Sequence, residues 1–241
     1  MFRHKGKRRT NIHNLRLASI LSFIAGIVNV CGVLSINILT TNVTGHFAYF
    51  AEEIGKESFK SAFAFLAFIF FFFLGAFFSS MIMESISRIR SSLSHAIPLI
   101  IEIIIITTIG CFADRYNWIS LYGKAIVCAL LFAMGMQNAL VTKVSRARVR
   151  TTHLTGLFTD LGIELSQLFF YKPGAYRSQL SNSILLRIII IVFFFLGCAI
   201  GGVLYSFLVM KTLLLAAICL VIALCYDLIR FQFYTLRRRL F

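Results

Sequence analysis

Charge is scarce in this chain, and acid scarcer still. Of 241 residues 14% are charged, and only 9 are Asp or Glu, against 24 Lys or Arg. A soluble domain carries about a quarter charged residues, so this chain has too little polar surface to coat a fold of its size in water. With 2 Pro, few apolar runs are interrupted. No CxxC pair is present. Cys31, Cys111, Cys128, Cys198, Cys219 and Cys225 all fall in apolar runs and read as small buried hydrophobes, not as a disulfide framework or metal site. No HExxH, GxSxG, Walker A loop or dinucleotide fingerprint appears, nor a Ser/His or paired-Asp constellation within the apolar segments. The expectation is a chain that is not an enzyme and uses no cofactor or metal.

What is present is hydrocarbon: 59% hydrophobic residues, 26 Phe, and a mean hydropathy of +0.87. Lipid must be the solvent for much of it. The net charge of +15 invites a nucleic-acid partner, but the basic residues flank apolar runs and form no stacking platform. The expected partners are the bilayer, anionic lipid at the basic tails, and an unidentified small solute or ion, with oligomerisation left open.

The chain also repeats itself. Thr40-Thr41-Asn42-Val43-Thr44-Gly45 returns as Thr151-Thr152-His153-Leu154-Thr155-Gly156. Gly26-Ile27-Val28-Asn29 precedes the first copy and Gly135-Met136-Gln137-Asn138 the second. Phe71-Phe72-Phe73-Leu74-Gly75 follows the first and Phe193-Phe194-Phe195-Leu196-Gly197 the second. Three landmarks in one order read as two homologous halves, about 15–113 and 121–230, a plan used by membrane transporters.

The basic tail, residues 1–14, precedes an apolar run from Leu17 to about Leu39. That run is too long for a signal-peptide core and lacks a cleavage site, so it reads as a retained first helix. Further crossings are expected at Ser61–Met83, Ile97–Ala113, Ala125–Thr142, Ile188–Met210 and Thr212–Tyr226. Short amphipathic pieces, too short to cross, are expected at His46–Ile54 and about Gly156–Tyr171. Six crossings with cytoplasmic termini leave only Lys56, Lys60, Arg115, Lys124 and Lys211 outside, as the positive-inside rule requires. Eight crossings remain the alternative. Three crossings per half is an odd number, so the halves would be inverted; four would make them parallel. The expected fold is an all-α membrane protein. It has about six transmembrane helices in two inverted three-helix repeats, each with a TTxxTG hairpin and a short amphipathic or re-entrant helix.

The paired TG hairpins, the Gly-xx-Asn ahead of each, and above all GMQNAL (residues 135–140) followed by VRTTHLTG (residues 149–156) resemble the YoaK-like family. These are small bacterial multi-pass membrane proteins with a domain of unknown function. The resemblance runs from about Leu15 to Tyr226 and implies a bacterial inner-membrane location, but no biochemical activity. Family members tend to read MTGN where this chain has Val43-Thr44-Gly45-His46, and often carry an acid where it has Asn29. Functions that need those groups do not transfer.

Thr44 and Thr155 each precede a Gly and a helix and read as N-caps, where free N–H groups suit an anion. Capping alone also explains the pattern. Asn29, Gln137 and Asn138 are amides in apolar helices; they bond between helices or line a solute path. Glu102 within IIEIIII reaches toward the interface, pairs across helices or sits on a proton path. The candidate substrate site is therefore Asn29, Thr44, Gly45, His46, Gln137, Asn138, Thr152, His153, Thr155 and Gly156, with Glu102 as candidate proton carrier. His46 and His153 lack metal-ligand spacing. A small-solute or ion transporter is the first reading. A non-transporting scaffold, assembly partner or lipid-binding protein is the alternative. If both hairpins build one central site, Gly45 and Gly156 should respond alike to substitution.

Overall fold

The computed structural model describes residues 11–90, 94–114, 118–145, 147 and 149–240. Residues 1–10, which hold most of the basic tail, lie outside them, as does Arg115. The described residues form helices α1 (Asn11–Ile36), α2 (Val43–Gly55), α3 (Phe59–Arg90), α4 (Ala96–Phe112), α5 (Trp118–Ser145), α6 (Leu154–Gln167), α7 (Ala175–Leu208) and α8 (Leu213–Leu240), and no strand. Four stretches are long and apolar enough to cross a membrane: Ile12–Ile36, Phe59–Ile89, Leu121–Ser145 and Ala175–Asp227. Ala96–Phe112 is also apolar but shorter.

The last stretch has 53 residues. As one helix it would measure about 80 Å, more than twice a hydrocarbon core. It breaks at a 3₁₀ turn, Val209–Thr212, where Val209 has φ 47°, an unfavourable value for a β-branched residue. The chain reverses there. Gly110 near the end of α4 meets Leu213 and Leu214 at the start of α8, and His95 at the start of α4 meets Asp227 midway along α8, Nε2 to Oδ2, at 3.0 Å. Thus α4 and α8 are antiparallel. Several boundaries differ from the sequence expectation by a turn or more: α7 begins at Ala175, well before Ile188, and α8 runs on past Tyr226 to Leu240. Apolar content marks the lipid-length part of a helix, and polar turns such as AYRSQLSN extend it.

Two close crossings tie the bundle together. A Cβ on Gly26 would strike the Phe194 carbonyl, and one on Gly197 the Phe23 carbonyl, so α1 and α7 touch backbone to backbone. A Cβ on Gly75 would strike the Phe132 carbonyl, and one on Gly135 the Phe72 carbonyl, so α3 and α5 do the same. Small residues permit such contact, and in lipid this packing is a main source of helix association. Gly201 continues the first crossing against Val30 and Ile27, so the Gly197-xxx-Gly201 spacing serves packing within the chain. Cys198 adds a thiol donor to the Gly26 carbonyl at 3.3 Å.

Helices α1 and α5 run antiparallel through the middle. The Gln137 amide donates to the Leu21 carbonyl at 2.7 Å, while Gly123 meets Ile36 at the other end. Leu17, Leu21, Ile24 and Val28 of α1 and Leu130, Met134 and Val141 of α5 are fully buried. Phe63, Phe70, Phe73 and Phe77 of α3 and Phe195, Val203 and Phe207 of α7 are exposed. An apolar outer face with no polar partner suits lipid.

Candidate functional site

Each hairpin is a piece of irregular backbone turned back into the bundle and pinned by an asparagine. After α1 the chain reverses at Asn37 (φ 56°). The Asn29 Oδ1 then accepts from the Thr40 N–H at 3.1 Å and the Thr41 hydroxyl at 2.9 Å, with Thr40 and Thr41 buried. Asn29 lies roughly 10 Å back along α1 from its end, so the segment re-enters the bundle. After α5 the chain reverses at Ala147 (φ 60°). The Asn138 amide donates to the Thr152 hydroxyl, and its Oδ1 faces the Thr151 hydroxyl at 3.5 Å. A buried donor left without these partners would cost about 1–3 kcal/mol. Asn29, Asn138 and Thr152 are therefore engaged in holding the hairpins, and Gln137 in bracing α5 to α1.

The caps fall two residues upstream of the expected threonines. Asn42 caps α2, its Oδ1 accepting from Gly45 N at 3.1 Å. His153 occupies the equivalent place before α6 and makes no side-chain capping bond. Thr44 and Thr155 lie in the first turns of these helices instead. A Cβ on Gly156 would collide with the His153 imidazole, whereas one on Gly45 would sit 3.1 Å from the Asn42 amide.

The hairpins lie at opposite ends of α1 and do not share a cavity. At the second, an open cavity of about 670 Å³ lies among α1, the hairpin, α6 and the first half of α7, within the range of small-molecule sites. α1 supplies Asn14 and Leu15; the hairpin Ala147, Arg150 and His153; α6 Gly156, Leu157 and Asp160; α7 Gln179, Asn182, Ser183, Leu186 and Arg187. Arg187 is fastened to Glu164 by two bonds of 2.8 Å, from Nε and Nη2, and its Nη2 lies 3.4 Å from Asp160. Ser183 also donates to Glu164, at 2.7 Å. Of the expected site residues, His153 and Gly156 line this cavity.

The first hairpin is lined with aromatic contacts. His46 is buried, with Nε2 bound to the Leu39 carbonyl at 2.8 Å and its ring against Phe68 and Phe65, centroids 5.6 and 6.1 Å away. Tyr49 stacks on Phe65 at 5.3 Å. Phe68, Val127 and Leu131 form the buried cluster beneath. Glu102 is buried in the bundle, and its Oε1 has no hydrogen-bond partner among the described residues. Among the described residues no group of three or more His, Cys, Asp or Glu is placed to hold a metal ion.

Sequence reasoning missed Arg187 and the His95–Asp227 contact as site features. One signal was available for the first: an arginine at the head of an apolar run, preceded by the acid pair Asp160 and Glu164 one turn apart on α6.

Described residues that are helical and strand-free, with four apolar stretches of lipid length, belong to an integral membrane protein. Its family follows from comparison with known sequences: the model for "Protein of unknown function (DUF1275)" matches residues 17–226, and the chain belongs to that family. It is 24% identical over 178 residues to the UPF0700 transmembrane protein YoaK of Bacillus subtilis (strain 168), an alignment covering 73% of this chain and 78% of that protein. No solved structure matches the chain.

Proposed function

We propose that this protein is a small-solute transporter built from two inverted three-helix repeats, open at its second hairpin and closed at its first. One observation carries the reading: positions matched by the repeat differ in state. Registering the hairpins on TTxxTG and the third helices on FFFLG sets Tyr49 on Asp160, Phe65 on Arg187, Ser61 on Ser183 and Glu53 on Glu164. The Tyr49–Phe65 stack thus takes the place of the Asp160–Arg187 contact. The crossings support the same register, since Gly26 meets the Gly197 region and Gly135 the Gly75 region. Each half lends its first helix to the other half's third. A pair of matched sites, one wet and one plugged, is the arrangement expected of alternating access.

In this reading α1, α3, α4, α5, α7 and α8 cross, and α2 and α6 do not. At 13 and 14 residues the latter span about 20 Å against a core of about 30 Å. The cavity then faces the cytoplasm, on the side of Lys143, Arg150 and the basic tail, in a bacterial inner membrane. Glu102, buried in α4, is the proposed proton carrier, and no catalytic step is assigned.

The test is reciprocity. Single cysteines at Ser183 and Ser61, in a cysteine-free background, should label from opposite faces. Tyr49→Ala should raise labelling at residue 61 and lower it at residue 183, because one equilibrium governs both ends. If Tyr49→Ala opens the first end and leaves residue 183 unchanged, the protein is a static scaffold.

A further inference from the structure

The cavity's charges, sorted by what already neutralises them, name a ligand class. Arg187 and Glu164 pair through two 2.8 Å bonds, the bidentate fork that suits a guanidinium and a carboxylate. Ser183 takes up Glu164 further. Two opposite charges then remain on the lining. Asp160, half exposed, has a longer contact of 3.4 Å to the same Nη2, weakened by solvent. Arg150 is exposed and makes no ion pair among the described residues. They stand on different elements, the hairpin and α6, and the wall contributed by Gln179 and Asn182 of α7 is polar but neutral.

We infer that the cavity binds a small zwitterion, its carboxylate or phosphate against Arg150 and its ammonium against Asp160. This rests on the transport reading for its purpose but not for its chemistry. A lone anion would leave Asp160 beside it, and a lone cation would leave Arg150; a zwitterion answers both, and the amides of Gln179 and Asn182 can take its neutral middle. Gly156 belongs to the same design. Without a Cβ there, the His153 ring, which lines the cavity, lies over the start of α6, and a methyl group would push it away.

The experiment is thermal stabilisation of the full chain in neutral detergent. The probes are the ω-amino acids glycine, β-alanine, 4-aminobutyrate and 5-aminopentanoate, with acetate, methylammonium and acetamide as single-function controls. A ligand that binds only the folded state raises stability as RT ln(1 + [L]/Kd). One chain length should bind about tenfold more tightly than either charged control, the value of one charge-assisted contact. Arg150→Gln should reverse the preference toward methylammonium, and Asp160→Asn toward acetate. Arg177→Gln, outside the cavity, should change nothing. Phosphoethanolamine in detergent, set against nanodiscs with and without phosphatidylethanolamine, separates a soluble zwitterion from a lipid headgroup. No stabilisation by any zwitterion, or equal stabilisation by acetate alone in wild type and Asp160→Asn, overturns the inference. Zwitterion binding without reciprocal labelling at residues 61 and 183 would instead sink transport and leave the site standing.

Discussion

The two ends of this molecule share a backbone plan and differ in what fastens the short helix to the long one. At the first, α2 lies on α3 through the Tyr49–Phe65 stack and the His46 ring against Phe68. At the second, α6 is tied to α7 by Glu164, Ser183 and Arg187. Aromatic contact is stabilised by excluding water, so that end closes over itself. Ionic contact is weakened by water but does not depend on excluding it, and full burial can cost such a pair more than it returns. An end fastened by charge therefore stays wet, and the cavity is found there.

The largest effect expected on this comparison comes from the crossings that both ends depend on. Gly75→Val and Gly197→Val each force a side chain into a carbonyl of the facing helix, and each should abolish monodisperse protein in size-exclusion chromatography. A large difference between them would mean that the halves are not equivalent in load. Next, Asn29→Ala and Asn138→Ala should each destabilise by about 1–3 kcal/mol, the cost of stranding a buried polar partner. Asn29→Ala should be the worse because the Asn29 Oδ1 serves two donors, one of them a backbone N–H. Thermal denaturation in detergent reads both.

The comparison itself is broken most directly by exchange. Asp160→Tyr with Arg187→Phe gives the second end the chemistry of the first, with Glu53 and Glu164 already matched. Labelling of a cysteine at residue 183 should then fall several-fold. Should it stay fast, the side chains do not set which end is open. Arg187→Ala alone should destabilise by about 1–3 kcal/mol, toward the lower part because the pair is partly exposed. The smallest effects separate the two glycines. Gly45→Ala should shift the melting temperature by no more than about a degree or two, in either direction. Gly156→Ala should be as mild on stability but should weaken ligand binding by displacing His153.

Part of this is legible in the sequence because similar stretches occur in it twice. Gly26 with Asn29, and Gly135 with Asn138, stand at the same spacing ahead of the two TTxxTG stretches. The fold adds that the glycine serves the crossing and the asparagine the hairpin, on one helix face three residues apart. The crosswise pairing of those landmarks is not legible. In lipid a helix is apolar on both faces, so the periodicity that reveals a soluble helix's inner side is missing from α3 and α7. A T-G-helix pattern allows Thr44 and Thr155 as caps, but α2 starts at Val43 and Asn42 caps it instead. His46 has the look of site chemistry in the sequence, yet its surroundings, Phe65 and Phe68, lie a helix away. Arg187 is hidden by hydropathy, which averages one arginine into the isoleucines that follow.

The crosswise pairing also sets a timetable for synthesis. When α1 leaves the ribosome, the surface around Gly26 has no partner until Gly197 arrives, about 170 residues later. At translation rates of about 5–20 residues per second, that wait lasts roughly 10–30 s. During it α3 and α5 can already cross, because Gly75 and Gly135 emerge much closer together. The inner pair can assemble on the growing chain, while the outer pair closes only as α7 is completed. A chain truncated before α7 should therefore hold its α3–α5 contact and expose the glycine face of α1, which makes α1 the helix that a membrane quality-control protease would find first.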